Sequence, residues 1–203
     1  MLTIATPVGE AQVVLDRVAG APALLVLGHG AGGGIESPDL LSARAACLAA
    51  GISVARVLQP YRVAGRRAPP AAPVLDQAWQ AVLRALARRR GLAGQPVVFG
   101  GRSSGARVAC RTAADPATQP AAVAVVAIAF PLHPPGKPER SRLPELAAVP
   151  VPVLVVQGSA DPFGMPPDGA NRQVVRLPGD HSLKRSAAEL GPVIAGWIAA
   201  TVG

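Results

Sequence analysis

The feature that most constrains this chain is an alternation. Short runs of β-type apolar residues take turns with stretches of helical periodicity, and each run ends in a Gly-rich or Pro-rich break. Leu2–Thr6 and Ala11–Val18 read as an antiparallel opening pair around Pro7 and Gly9. Strands are expected at Ala23–Leu27, Ile52–Leu58, Pro96–Phe99, Ala121–Phe130, Pro152–Gln157 and Arg172–Leu177. Helices are expected at Pro38–Ala50, Asp76–Arg90, Ser104–Ala114 and Ser186–Val202. Leu75, Ala78, Trp79, Val82 and Leu86 share one helical face, as do Ala106, Ala109, Cys110 and Ala113. Ser186 and Glu189 have capping-box spacing, and Pro192 argues against an unbroken last helix. Apolar strands alternating with helices require a mostly parallel sheet, here of about seven to eight strands, covered by helices on both faces.

Composition narrows the alternatives. With 203 residues, 50% of them hydrophobic, the chain is expected to form one domain and is not disordered. Its longest apolar run, Ala121–Phe130, is half the ~20 residues of a membrane span, so no membrane partner is expected. The start, MLTIATPVGE, carries no basic region before an apolar stretch. A cytoplasmic location is the expectation. Cys47 and Cys110 fall on helices and read as small buried hydrophobes. The net charge of +8 invites a nucleic-acid reading. Against it, all basic residues but Lys137 and Lys184 are Arg, as a GC-rich coding bias produces. Aromatics for stacking on bases are scarce. The cluster Arg88-Arg89-Arg90 sits before Gly91 at a helix end, where cations suit the dipole. No nucleic-acid partner is therefore expected.

Ligands in parallel sheets bind beyond the carboxyl ends of the strands, so the breaks after strands carry the chemistry. Pro96–Phe99 runs into Gly100-Gly101-Arg102-Ser103-Ser104-Gly105 and then a helix. Gly101, Ser103 and Gly105 form G-x-S-x-G in the strand-turn-helix setting that a nucleophile elbow needs. Side chains two residues either side of the nucleophile would clash, hence the glycines. Ser104 offers a backbone N–H at a helix N-terminus, where the dipole favours developing negative charge. A triad on such a sheet runs serine, acid, histidine. Asp161 follows one later strand and His181 the next. Asp168 is the rival acid, and Asp180 a weaker one.

The loop Gly28-His29-Gly30-Ala31-Gly32 follows the third strand. Its Ala31 N–H is the expected second oxyanion donor, with Gly32 next. His29, Gly32, Arg102 and His133 are expected to line the substrate site, His29 with the alternative of bonding its own loop. Arg62 and Arg66 are placed near the same mouth. Gly28, Gly30 and Gly33 also fit a dinucleotide fingerprint. No acid ends the following strand to hold a ribose, and two strands precede the motif, so that reading fails. No cofactor or metal is called for, since no Cys/His cluster has zinc spacing.

Together these residues resemble the α/β-hydrolase superfamily: the HGxG loop, the nucleophile elbow, and an acid and a His after the last two strands. More narrowly, the chain resembles the small lidless hydrolases related to dienelactone hydrolase. Within them it is similar to the testis-expressed hydrolase-like proteins and a histone acetyltransferase complex subunit. Gly28–Gly32, Pro60-Tyr61-Arg62, Gly100–Gly105, Pro131–Pro138, Asp161-Pro162-Phe163 and Gly179–Ser182 carry that likeness. Dienelactone hydrolases use Cys where Ser103 stands. The resemblance implies an α/β-hydrolase fold and a serine hydrolase of the carboxylesterase or thioesterase kind, acting on a small-molecule ester or thioester. Some members of the narrower family are scaffolds, so the alternative is a catalytically silent fold that serves as an interaction module. Pro131–Pro150 is too short for a lid domain.

Overall fold

A computed structural model describes residues 1–203. It contains one eight-stranded sheet. The strands are β1 (Leu2–Thr6), β2 (Gly9–Asp16), β3 (Leu24–Gly28), β4 (Ser53–Leu58), β5 (Val97–Arg102), β6 (Ala122–Ile128), β7 (Val153–Gly158) and β8 (Arg172–Leu177). Their spatial order is β1-β2-β4-β3-β5-β6-β7-β8. β1 and β2 run antiparallel to their neighbours, and every other pairing is parallel. The β1–β2 turn closes through Thr6 Oγ1, which donates to the Gly9 carbonyl and accepts the Val8 N–H.

The helices are α1 (Pro38–Ala49), α2 (Pro60–Val63), α3 (Ala72–Ala87), α4 (Ser104–Ala114), α5 (Leu143–Ala147) and α6 (Ala187–Val202). Strand side chains alternate between faces. Leu24, Val26, Val125 and Val155 join Trp79, Leu83 and Ala109 under α3 and α4. Leu25, Leu27, Val126 and Val156 join Leu40, Cys47 and Ile194 under α1 and α6. Both faces are therefore buried, which is why the strands read as continuous apolar runs. Cys47 and Cys110 sit unpaired in these layers, and burial pushes both thiols up to about 12.

Several boundaries differ from the expectation. Helix α3 begins earlier than Asp76 because Pro73 suits a first turn, where its missing N–H has no partner to lose. It also ends at Ala87, so Arg88–Arg90 lie beyond it. The short helices α2 and α5 hold too few residues to show periodicity. No capping box forms at α6, because Ser186 Oγ donates to the Pro178 carbonyl instead. Pro192 does not break α6. Ser42 of α1 inserts its hydroxyl into the helix, donating to the Ala187 carbonyl and accepting the Gly191 N–H. That relieves the ladder one residue before the proline. The Pro-rich stretch Pro134–Arg142 is a loop, and α5 follows it.

Candidate active site

β5 delivers Ser103 into a backbone conformation, φ 52° and ψ −111°, that side chains rarely adopt. The Ser103 N–H is held by the Ile128 carbonyl at 2.9 Å. A Cβ on Gly101 would come within 2.8 Å of the Gly28 and Gly105 carbonyl oxygens. One on Gly105 would lie 2.5 Å from the Gly28 carbonyl carbon and oxygen. The turn is tight because α4 starts directly against the end of β3, and only glycine fits on either side.

Two later loops converge on the Ser103 hydroxyl. His181 follows β8, and its Nε2 is 2.9 Å from Ser103 Oγ. Its Nδ1 lies 2.8 Å from Asp161 Oδ2. The Asp161 side chain is fully buried while His181 keeps 17% exposure, so the carboxylate is shielded and the imidazole is reachable. Asp161 Oδ1 accepts the Phe163 N–H at 2.9 Å, and Oδ2 also accepts from Gln157 Nε2 at 2.8 Å. All three partners are able to donate to it, His181 through the Nδ1–H tautomer. The Phe163 ring lies 4.2 Å from the His181 ring, centroid to centroid, and limits its swing.

The rival acids are turned elsewhere. Asp168 Oδ1 accepts the Val174 N–H at the start of β8. Asp180 Oδ1 accepts both the N–H and the hydroxyl of Ser182, and those bonds hold its exposed carboxyl below the usual range.

The Ala31 N–H donates to no carbonyl among the loop and turn hydrogen bonds, and Ser104 begins α4, whose first N–H groups have no partner within the helix. Tyr61 Oη donates to the Ala31 carbonyl at 2.7 Å and so anchors the peptide that joins Ala31 to Gly32. A Cβ on Gly32 would meet no neighbouring atom.

Two residues expected to line the substrate site are committed to the protein instead. His29 is buried; Nδ1 donates to the Gly30 carbonyl at 2.8 Å and Nε2 accepts the Gln59 N–H at 3.1 Å. With both nitrogens bonded to backbone, it holds the β3 and β4 ends together, the alternative noted for it. Arg102 pairs with Asp39 at 2.7 Å and donates to the His181 carbonyl at 3.2 Å. Its charge was expected to line the substrate site, but the carboxylate of Asp39, buried at the start of α1, claims it. His133 Nδ1 donates to the Pro134 carbonyl, and its Nε2 sits against Gly164 in the Asp161 loop. Arg66 lines a cleft of about 320 Å³ between the β1–β2 hairpin and α2–α3, at the end of β4 and two strands from Ser103.

Gln157 and Asp39 escaped the sequence reading. Gln157 is completely buried near the end of β7 and donates to Asp161, the Phe130 carbonyl and the Gly164 carbonyl. The signal was present: it is the one polar residue in an otherwise apolar strand, and a buried amide demands partners.

His29 also makes stability pH-dependent. Burial pushes its imidazole below the ordinary value, outweighing the Gly30 carbonyl bond that acts the other way. The unfolded chain takes up this proton near pH ~6.5, the folded chain only lower. Its contribution to stability is therefore complete above that value and declines as pH falls below it. Urea unfolding between about pH 7.5 and pH 5 should show a shallower loss for His29→Asn than for the wild type. An equal or steeper loss would refute the assignment.

The α/β hydrolase domain family matches residues 21–189. The chain belongs to this family. As an α/β hydrolase, it is similar to a lidless serine hydrolase from Xanthomonas campestris, with 25% identity, a TM-score of 0.76, and 98% of this chain and 93% of that one covered. A serine hydrolase homologue from Coxiella burnetii superposes with a TM-score of 0.75 at 18% identity, over 97% and 96% of the two chains. A dienelactone hydrolase from Anabaena variabilis superposes with a TM-score of 0.76 at 17% identity, over 98% and 96%. Among curated proteins, none matches the chain. Like the Xanthomonas protein, this α/β hydrolase has no lid domain: only a loop and α5 join β6 to β7. No helix is long and apolar enough to cross a membrane.

Proposed function

We propose that this α/β hydrolase is a serine hydrolase that cleaves a small carboxylic ester or thioester through an acyl-enzyme intermediate. The observation that carries the reading is the unbroken chain from Ser103 Oγ to His181 Nε2 (2.9 Å) and from His181 Nδ1 to Asp161 (2.8 Å). Ser103 Oγ attacks the acyl carbonyl carbon while His181 Nε2 takes its proton. The carbonyl electrons move onto oxygen, where the Ser104 and Ala31 N–H groups receive them. Collapse expels the alcohol or thiol, which leaves with the proton from His181. Water then attacks the acyl-enzyme, His181 again taking and returning a proton, and the acid and free Ser103 result. Asp161 keeps the Nδ1–H tautomer and balances the imidazolium. Each oxyanion donor contributes roughly 3 kcal/mol in comparable sites.

The short β6–β7 connection leaves the nucleophile uncovered, which favours small or soluble acyl groups over long lipids. His133, packed beside the Asp161 loop, and Gly32, where a Cβ would meet no neighbouring atom, are the remaining candidates to line the substrate. The buried free thiols suit a reducing cytoplasmic setting. The Pro131–Pro138 segment supports a place near the testis-expressed hydrolase-like group.

A fluorophosphonate probe tests the reading. The wild type should be labelled on Ser103 alone, Ser103→Ala should lose labelling, and Ser104→Ala should retain it because Ser104 contributes only its backbone. Labelling mapped to Ser104, or none at all, would overturn the proposal.

A further inference from the structure

We infer that Arg102 is a positioning residue, which ties the oxyanion loop and the His181 loop to the nucleophile strand through one guanidinium. The inference rests on the serine-hydrolase reading above. Arg102 is the last residue of β5, next to Ser103, and its side chain is 20% exposed. Its Nε lies 2.7 Å from Oδ2 of Asp39, whose side chain is 1% exposed. Its Nη2 donates to the His181 carbonyl at 3.2 Å. Its Nη1 lies against Gly30, so close that a Cβ there would come within 2.7 Å of it.

These contacts bracket the candidate machinery. Gly30 precedes Ala31, and Asp39 stands in the first turn of α1, just beyond the loop's far end. His181 supplies the base. One planar group therefore lies against Gly30 in the oxyanion loop, pairs with Asp39 beyond that loop and bonds the backbone of the base. A guanidinium presents donors in several fixed directions, whereas an ammonium on a flexible stem does not. Asp39 balances the positive charge that would otherwise stand alone beside the imidazole. Capture of a substrate anion by Arg102 would require leaving this buried carboxylate uncompensated, which is strongly unfavourable.

The test removes both charges together, because a lone buried Asp39 would confound folding with catalysis. In the double variant Arg102→Met/Asp39→Leu, a cooperative melt and native near-ultraviolet dichroism establish that the chain is folded. The rate of fluorophosphonate labelling at Ser103 should fall about 100-fold, as a misplaced reacting group predicts. With para-nitrophenyl acetate, kcat should fall by a similar factor while KM stays near the wild-type value. Arg102→Lys keeps the charge but loses the fork, and should recover only part of the rate. If the double variant does not fold, Arg102→Lys carries the test alone, with an expected loss of about tenfold in kcat.

A folded double variant that labels at the wild-type rate, or an Arg102→Lys variant with wild-type kcat, overturns the inference. So does a change confined to KM for the anionic ester para-nitrophenyl hydrogen succinate, because that marks Arg102 as an anion-binding group. A wild type that fails to label at all overturns the serine-hydrolase reading itself, and the two failures are thereby told apart.

Discussion

Asp161→Asn should lower turnover by about 10⁴-fold while the chain remains folded. Every group that touches Asp161 is a donor: His181 Nδ1–H and Gln157 Nε2 on one oxygen, the Phe163 N–H on the other. An asparagine must place its NH₂ toward one side or the other. Facing Phe163, it sets donor against donor and loses the backbone bond. Facing His181, it opposes Gln157 and requires Nδ1 to become an acceptor. The imidazole then carries its proton on Nε2, the atom that takes the proton from Ser103 in the proposed mechanism. The wrong tautomer removes the base without removing the side chain. Steady-state turnover of para-nitrophenyl acetate, with a melting curve as the control for folding, checks this. An unchanged rate would show that Asp161 does not act through His181.

Gly105→Ala should destabilise the fold by about 3 kcal/mol or more, at the upper end of the overpacking range. Its new Cβ would meet the Gly28 carbonyl at 2.5 Å and the His29 carbonyl oxygen at 2.9 Å. All of these atoms are backbone, held in the central β3 strand and the loop it enters, so no rotamer change relieves the clash. In a chain of this size that loss lowers Tm by roughly 6–12 °C. Gly196 is the internal comparison. It lies exposed in α6 with nothing near its missing Cβ. Gly196→Ala should instead stabilise by about 0.5–1 kcal/mol, since alanine loses less backbone entropy in a helix. Opposite signs for the same chemical change would show that the close approach of α4 to β3, rather than glycine content, governs the elbow. A neutral Gly105→Ala would refute the tight packing.

Both predictions locate what was legible along the chain. Period and turn chemistry are local, so eight strands, four longer helices and the sheet's parallel character could be read directly. The elbow at Gly101–Gly105 was legible as a strand-turn-helix motif, although the backbone that crowds its glycines includes Gly28 and His29 at the end of β3, distant in sequence. Even the positions of Asp161 and His181 followed from a rule about what stands beyond consecutive strands.

Direction and partnership were not legible, because they depend on segments distant in sequence. Three acids followed late strands, and sequence separated them only by rank. The tertiary structure places Asp161 under His181 and ties Asp168 and Asp180 to nearby groups of their own. Arg102 looked like a free cation at a mouth until α1 brought Asp39 beside it, 63 positions earlier in the chain. Pro192 looked like a helix breaker until Ser42 of α1 opened the ladder ahead of it. Hydrophobic period and turn motifs thus determined the elements and marked the turn that presents Ser103. Which charge meets which, and which polar group is buried, was decided only when the sheet closed and desolvation made each pairing obligatory.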